Sequence, residues 1–337
     1  MISAMSTQIP DPTHHLTPVD RTPVDGAPDD RTPVDRSDRR RWLQLLLGII
    51  LFFVAEFALV IPMILWSALA QVDVVAGPAP SWTMLAGGCF GALVALGGFR
   101  LIVGPIGRSP GLALRGRGKL AELATGLVIG TLLISISVGL IALLGGYQVS
   151  GFSPSPQLLV PLALGVGAGF VEEILFRGIL VRIFDAWLGS WAALALTSVL
   201  FGLMHLTNQG ASLTSALGLV IEAGVLLGAA YLLTRRLWLA IGIHIAWNTV
   251  QAGVYSSDVS GTGAQHGLLA AQQDGPAWLT GGSMGVEGSL VTVLVGLVAG
   301  VIMLVLAVRR GHMLPRVAAE GRAAGRAGRR HPERVGA

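Results

Sequence analysis

Eight apolar runs occupy the chain between residues 42 and 308. Each is about 16 to 29 residues long, which suits helices that cross a bilayer with some tilt. They lie at residues 42–70, 82–104, 120–144, 158–183, 191–206, 213–233, 237–254 and 290–308. Glycines four residues apart, such as Gly126 with Gly130 and Gly165 with Gly169, favour close helix packing. The pattern predicts an all-α, polytopic membrane protein with eight transmembrane helices.

Basic residues alternate between the connections that join these runs. They occur in the N-terminal tail, in the second, fourth (Arg182) and sixth connections and in the C-terminal tail, and they are absent from the first, third, fifth and seventh connections. Lys and Arg accumulate on the cytoplasmic side of membrane proteins. The alternation therefore supports eight spans and predicts that both termini are cytoplasmic. We expect a multi-pass protein of the cell membrane.

Composition agrees with this interpretation and defines two tails. The chain is 53% hydrophobic and 12% charged, which is typical of polytopic membrane proteins. Residues 1–41 repeat Thr-Pro-Val-Asp from Thr17, Thr22 and Thr32, which predicts a disordered cytoplasmic tail before a membrane domain at 42–308. Residues 309–337 form a basic cytoplasmic tail, for which we expect contact with anionic lipid and not with nucleic acid.

Three charged residues interrupt the fourth run, namely Glu172, Glu173 and Arg177. A charge at the centre of a spanning helix costs on the order of 2.5 to 3.5 kcal/mol, so such groups usually have a function. Glu173 and Arg177 are four residues apart, on one helix face, and can form an ion pair. Glu172 lies about 100° around the helix. We interpret the pair as structural and Glu172 as the reactive group, with a polar site inside the bundle.

Two further runs carry polar groups at helical spacing. Phe201 and His205 are four residues apart in the fifth run, and His244 and Asn248 are four apart in the seventh. Each pair shares a helix face. Counted from the cytoplasmic helix ends, these residues and Glu172 lie about 10 to 22 Å deep. We therefore expect them to meet in one cavity.

The three patterns, taken in order, resemble the motifs of the CPBP family of intramembrane proteases. That family includes the CaaX prenyl endopeptidases of type 2 and bacterial relatives linked to bacteriocin immunity. The matching residues are Glu172, Glu173, Arg177, Phe201, His205, His244 and Asn248, within a motif region at 158–254. The resemblance implies an eight-helix core and hydrolysis of a peptide bond within the membrane. It implies a peptide or membrane-protein substrate but not a prenylated one.

The residue types suit amide hydrolysis, which needs an activated water, a donor to the oxyanion and a proton for the leaving amine. We assign Glu172 as general base and later as general acid. His205 then holds the water, and His244 and Asn248 donate to the oxyanion. Glu173, Arg177 and Phe201 support these groups.

Zinc is an open alternative for the same site. Glu172, His205 and His244 supply the two imidazoles and one carboxylate of a three-ligand zinc centre with water in the fourth position. No His-Glu-x-x-His helix is present, and the metal-free mechanism gives every group a role. We favour the metal-free mechanism and keep zinc open.

Two other classes of function remain. A non-catalytic membrane immunity or scaffold protein would use the polar cluster only to hold its helices together. A proton-coupled transporter is less favoured, because we find no matched pair of interrupted helices. Glu56 and Glu222, in the first and sixth runs, are interpreted as packing groups.

Overall fold

Eight long helices follow the eight apolar runs in the computed structural model, which describes residues 40–72, 79–108, 112–114, 116–263 and 267–315. They are α1 (Arg41–Ala70), α2 (Ser81–Ile106), α3 (Lys119–Leu143), α4 (Leu159–Leu188), α5 (Ser190–Thr207), α6 (Leu213–Thr234), α7 (Trp238–Gly253) and α8 (Leu290–Arg309). Seven of these described helices are long and apolar enough to cross a membrane, and α7 has 16 residues. The predicted all-α polytopic fold is confirmed. Residues 1–39 and 316–337, which contain most of the two predicted tails, lie outside the described residues.

Helices α4, α6 and α7 form the centre of the bundle. In the most apolar window of α4, 61% of residues are buried, and the value for α6 is 67%, against 17% for α1. Helix α7 is buried along most of its length. Helix α1 packs mainly on α2, α2 packs on α4, and both α3 and α4 pack on α7. The residues of the three motifs therefore lie on central helices or next to them.

Glycines allow α7 to approach both of its neighbours closely. A Cβ atom at Gly126 of α3 would overlap the carbonyl oxygen of Leu239, and one at Gly165 of α4 would overlap the hydroxyl of Thr249. Helices without side chains at the contact can bring their backbones together. The close packing expected from the glycine pairs is present at these two contacts, and it fixes the position of α7 against α4.

Helix α4 is longer than its apolar run and contains a π-helical segment. The segment covers Ile174–Val181, and shorter ones occur at Ile102–Ile106 in α2 and Val220–Gly224 in α6. Such wide turns often occur at functional sites. Because the helix continues to Leu188, Arg182 lies within α4 and not in the connection assigned to it from the sequence. Its guanidinium donates to the carbonyl oxygen of Gly178.

The two ends of the bundle differ in structure. At one end, which we call the basic end, Arg235 pairs with Asp185, and Arg236 donates to Glu122. At the other end, strand β1 (Tyr147–Phe152) pairs antiparallel with β2 (Leu269–Gln273). Short helical turns complete the connections, at Leu112–Leu114, Ala277–Thr280, Gly282–Met284 and Val286–Gly288.

Candidate active site

The structure brings all seven motif residues together. Helix α4 supplies Glu172, Glu173 and Arg177, α5 supplies Phe201 and His205, and α7 supplies His244 and Asn248. Five of them line one cavity of about 900 Å³, whereas Glu173 and Arg177 lie behind its wall. The cavity wall extends from Glu172, near the middle of α4, to loop residues such as Asn208 and Ser260 at the end opposite the basic end.

Glu172 faces both histidines. Its Oε2 atom lies 4.0 Å from Nε2 of His205 and 4.0 Å from Nε2 of His244. This oxygen is buried and accepts no hydrogen bond from any described residue. A separation of 4.0 Å is too long for a direct hydrogen bond. The carboxylate is therefore held close to two imidazoles without a direct hydrogen bond to either of them.

The ring of His205 is oriented by the backbone of its own helix. Nδ1 lies 2.8 Å from the carbonyl oxygen of Phe201. A carbonyl oxygen only accepts, so Nδ1 must carry the hydrogen, and Nε2 of the neutral ring presents its lone pair to the cavity. His205 can accordingly accept a hydrogen bond from a water molecule beside Glu172.

Glu173 and Arg177 together link three helices. Arg177 donates to its Oε1 at 2.7 Å, and Nδ1 of His244 lies 2.9 Å from the same atom. Arg177 also donates to the carbonyl oxygens of Ala223 and Gly224, at 3.1 and 3.2 Å, in the π-helical turn of α6. Glu173 is 0% exposed and Arg177 is 2% exposed. The ion pair predicted from the four-residue spacing is present, and it also fixes the orientation of His244.

Phe201 contacts both parts of the site with its ring. The ring centroid lies 4.9 Å from Cζ of Arg177 and 4.6 Å from the ring centroid of His205. Phe176 packs edge-on against it at 5.0 Å. A guanidinium over an aromatic face is attracted by the negative charge of that face. Phe201 therefore restrains Arg177 and His205 together.

Three further glutamates line the cavity. Glu56 comes from α1, Glu222 from α6, and Glu287 from the helical turn before α8. Glu287 accepts a hydrogen bond from the backbone N–H of Ser260, and burial raises its pKa to about 7. From the sequence, we interpreted Glu56 and Glu222 as packing groups and did not predict a role for Glu287. Glu287 is not part of a motif. The sequence shows only that it lies just before an apolar run, near the expected membrane boundary.

The zinc alternative requires a change in the site. Tetrahedral zinc with bonds of about 2.0 to 2.1 Å holds its ligands roughly 3.4 Å apart, whereas Glu172 lies 4.0 Å from each histidine nitrogen. No group of three His, Cys, Asp or Glu residues in the described part of the chain is arranged to hold a metal ion. The donor types fit zinc, but the carboxylate and imidazoles would have to move closer together.

Comparison with known proteins identifies a family for the part of the chain that carries the site. Residues 154–250 match the family model described as type II CAAX prenyl endopeptidase, Rce1-like. No curated protein and no solved structure matches the chain. The matched residues include all seven motif positions. The family relationship predicted from the three motifs is thereby confirmed: residues 154–250 are similar to the Rce1-like type II CAAX prenyl endopeptidases, a family of membrane proteases.

Proposed function

We propose that the protein is an intramembrane endopeptidase that hydrolyses a peptide bond with a water molecule activated by Glu172. The observation that carries this proposal is the position of Glu172 Oε2, 4.0 Å from Nε2 of His205 and of His244. A carboxylate that is buried beside two imidazoles and lines a cavity is placed to act as a general base.

In the proposed reaction, Glu172 and Nε2 of His205 hold the water between them. Glu172 takes one proton as the water oxygen adds to the carbonyl carbon of the peptide. Asn248 and His244 donate hydrogen bonds to the oxyanion that forms. Glu172 then gives its proton to the amide nitrogen as the C–N bond breaks, which releases a free amine and regenerates the carboxylate.

The contact between His244 and Glu173 sets a condition on this mechanism. When Nδ1–H donates to a carboxylate, Nε2 carries a hydrogen only if the ring is an imidazolium. His244 must therefore be positively charged when it stabilises the oxyanion. The Glu173 carboxylate lies 2.9 Å from Nδ1 and holds the ring in place by this contact. Glu173 thus acts in catalysis only through His244.

The proposal also includes the location of the protein and its orientation in the membrane. We place the protein in the cell membrane as a multi-pass protein with both termini cytoplasmic. One end of the bundle holds the ion pairs of Arg235 with Asp185 and of Arg236 with Glu122. This location of the arginines supports the orientation, because basic residues accumulate on the cytoplasmic side. The substrate is a peptide or a membrane protein whose chain reaches the cavity from the bilayer or from the end opposite the basic end.

The proposal is tested by comparing cells that express the wild type with cells that express Glu172→Gln. New protein N-termini in isolated membranes are quantified by mass spectrometry. We expect a set of N-termini that depends on the wild-type protein and disappears in the variant. Identical sets, with both proteins inserted in equal amounts, would contradict an endopeptidase and favour the non-catalytic scaffold.

A zinc-dependent peptidase is the second candidate, because a neutral His244 ring with its hydrogen on Nδ1 would present a lone pair at Nε2, as His205 does. Both Nδ1 atoms are hydrogen-bonded, one to the Phe201 carbonyl oxygen and the other to Glu173, as is usual for histidines that bind metal. Glu172, His205 and His244 would hold the ion, which would supply a Lewis acid and an acidic bound water.

Elemental analysis of detergent-purified protein separates the two candidates when it is run beside a phenanthroline assay. The metal-free mechanism predicts that no stoichiometric metal is present and that cleavage continues in the chelator. About one zinc per chain, lost together with activity and lost in both His205→Ala and His244→Ala, would make His244 a ligand and not an oxyanion donor.

A further inference from the structure

Two buried carboxyl groups, Glu222 and Glu287, form a part of the cavity that the proposed reaction does not use. We call this pair the acid wall. Glu222 lies in the π-helical turn of α6 and is 1% exposed, and Glu287 is 3% exposed. Both line the cavity that also contains Glu172.

The acid wall has no lysine or arginine beside it among the described residues that line the cavity. Oε2 of Glu222 is buried and accepts no hydrogen bond from any described residue. Glu287 accepts a hydrogen bond from the backbone N–H of Ser260. Four glutamates and two histidines line the cavity, and its lining contains neither lysine nor arginine. A buried carboxylate without a cation is expensive, so it must bind a proton or a positively charged group.

The packing of α8 leaves room for Glu222. A Cβ atom at Gly296 would lie 2.6 Å from Cγ of Glu222. Any larger residue at position 296 would displace the glutamate side chain from this contact. The absence of a side chain at Gly296 therefore provides the space that the Glu222 side chain occupies.

The acid wall adjoins the catalytic group His205. The pKa of Glu287 is raised to about 7 by burial, while its hydrogen bond from Ser260 and the nearby imidazole of His205 oppose that rise. Burial therefore disfavours the carboxylate form of Glu287 as long as no cation lies beside it. A cation bound beside it would shift the equilibrium towards the carboxylate.

We propose that Glu222 and Glu287 form a subsite that binds a cationic group of the substrate, namely a lysine or arginine side chain. This inference rests on the proposed peptidase function and adds a specificity to it. The remaining lining is largely apolar and includes Leu219 and Leu226. Such a surface suits the aliphatic part of a long basic side chain, with its charged end at the acids.

Binding is tested separately from cleavage, in the Glu172→Gln background. The immobilised protein in nanodiscs is incubated with a library of acetylated, amidated octapeptides in which single positions carry Lys, Arg, Gln or norleucine. Bound peptides are identified by mass spectrometry. We expect Lys and Arg peptides to be enriched about ten- to a hundredfold over their Gln and norleucine counterparts, as for hydrogen bonds to charged groups.

The acid wall is then removed by Glu222→Gln and Glu287→Gln, singly and together. Each single change should reduce the enrichment and the double change should abolish it. Glu56→Gln, at another cavity-lining acid, is the matched control and should preserve it. The melting temperature of every variant is measured, and the single variants decide the result if the double variant does not fold.

Three outcomes would overturn the subsite. They are an absence of enrichment in the Glu172→Gln protein, persistence of enrichment without the acid wall, and loss of enrichment only in Glu56→Gln. The first would mean that the two acids share a proton and bind no cation. Cleavage of the same library by the wild type is scored separately, so a failure of the peptidase proposal is distinguished from a failure of the subsite.

Discussion

Glu173 and the acid wall are equally buried but have opposite surroundings. Glu173 is 0% exposed, and Glu222 and Glu287 are 1% and 3% exposed. One oxygen of Glu173 is bonded to Arg177 and to His244, whereas Glu222 and Glu287 have no cationic hydrogen-bond partner among the described residues. We infer that neighbours, and not burial, separate a structural carboxylate from one that is able to react or to bind, and our proposals assign Glu172 to the second kind.

The largest effect on folding is expected for Glu173→Gln. The change leaves Arg177 buried without its carboxylate, a loss on the order of 3 to 5 kcal/mol. It also replaces the charged acceptor of His244 with a neutral amide, whose oxygen is a weaker hydrogen-bond acceptor. We expect a lower melting temperature in nanodiscs and a loss of cleavage. A Glu173→Gln protein that melts at the wild-type temperature would contradict the structural role that distinguishes Glu173 from the acid wall.

Asn248→Ala should affect the reaction and not the fold. It removes one donor to the oxyanion, so the turnover rate should fall by roughly a hundred- to a thousandfold with little change in substrate affinity. Steady-state kinetics on an identified substrate measure this directly. A raised KM with an unchanged kcat would instead assign Asn248 to substrate binding.

Phe201→Leu should weaken the site moderately. The change removes the ring that contacts Arg177 and His205, which is worth about 1 kcal/mol, but it keeps the backbone carbonyl that binds Nδ1 of His205. We expect a small fall in melting temperature and partial activity. Phe57→Leu is the matched control, because Phe57 is 62% exposed on α1. Equal effects of both changes would contradict a specific role for the Phe201 ring.

A further prediction concerns the pH dependence of stability at Glu287. Burial raises its pKa to about 7 from 4.5, so the folded protein retains a proton that the unfolded chain has already released. The stability from this proton is complete below about pH 4.5 and is lost as the pH rises through 7. The melting temperature should therefore decline between pH 5 and 8, and Glu287→Gln should reduce that decline.

Asp274→Asn, at an exposed carboxylate, serves as the control for the pH experiment and should leave the decline unchanged. A decline that is the same in wild type and Glu287→Gln would show that Glu287 is not the buried, proton-retaining group that the acid wall requires.

The helices and the motif residues were predictable from the sequence because each depends on local pattern. Apolar length locates the spans, and the four-residue spacing of Glu173 and Arg177 places both on one face of α4. The spacing of two residues on one helix does not predict which residues of other helices they contact. Thus the contact of Glu173 with His244, and the bonds from Arg177 to the carbonyl oxygens of α6, were found only in the folded structure.

Features at the helix ends and in the connections were also missed, for different reasons. The pairing of β1 with β2 joins two polar connections that are more than a hundred residues apart in sequence. Arg182 was placed in a connection because the apolar run ends near it, although the helix continues to Leu188. Glu287 lies in a connection rich in glycine and serine, where an acid does not stand out until the fold brings it into the cavity.

The most direct test of the central claim compares purified wild type and Glu172→Gln in nanodiscs, with cleavage of an identified substrate and melting temperature measured on the same samples. The account predicts that the variant melts near the wild-type temperature and cleaves at least about a thousandfold more slowly, because the base is removed while shape and hydrogen bonding remain. Cleavage at the wild-type rate by a folded Glu172→Gln protein would contradict the assignment of Glu172 as the group that activates water.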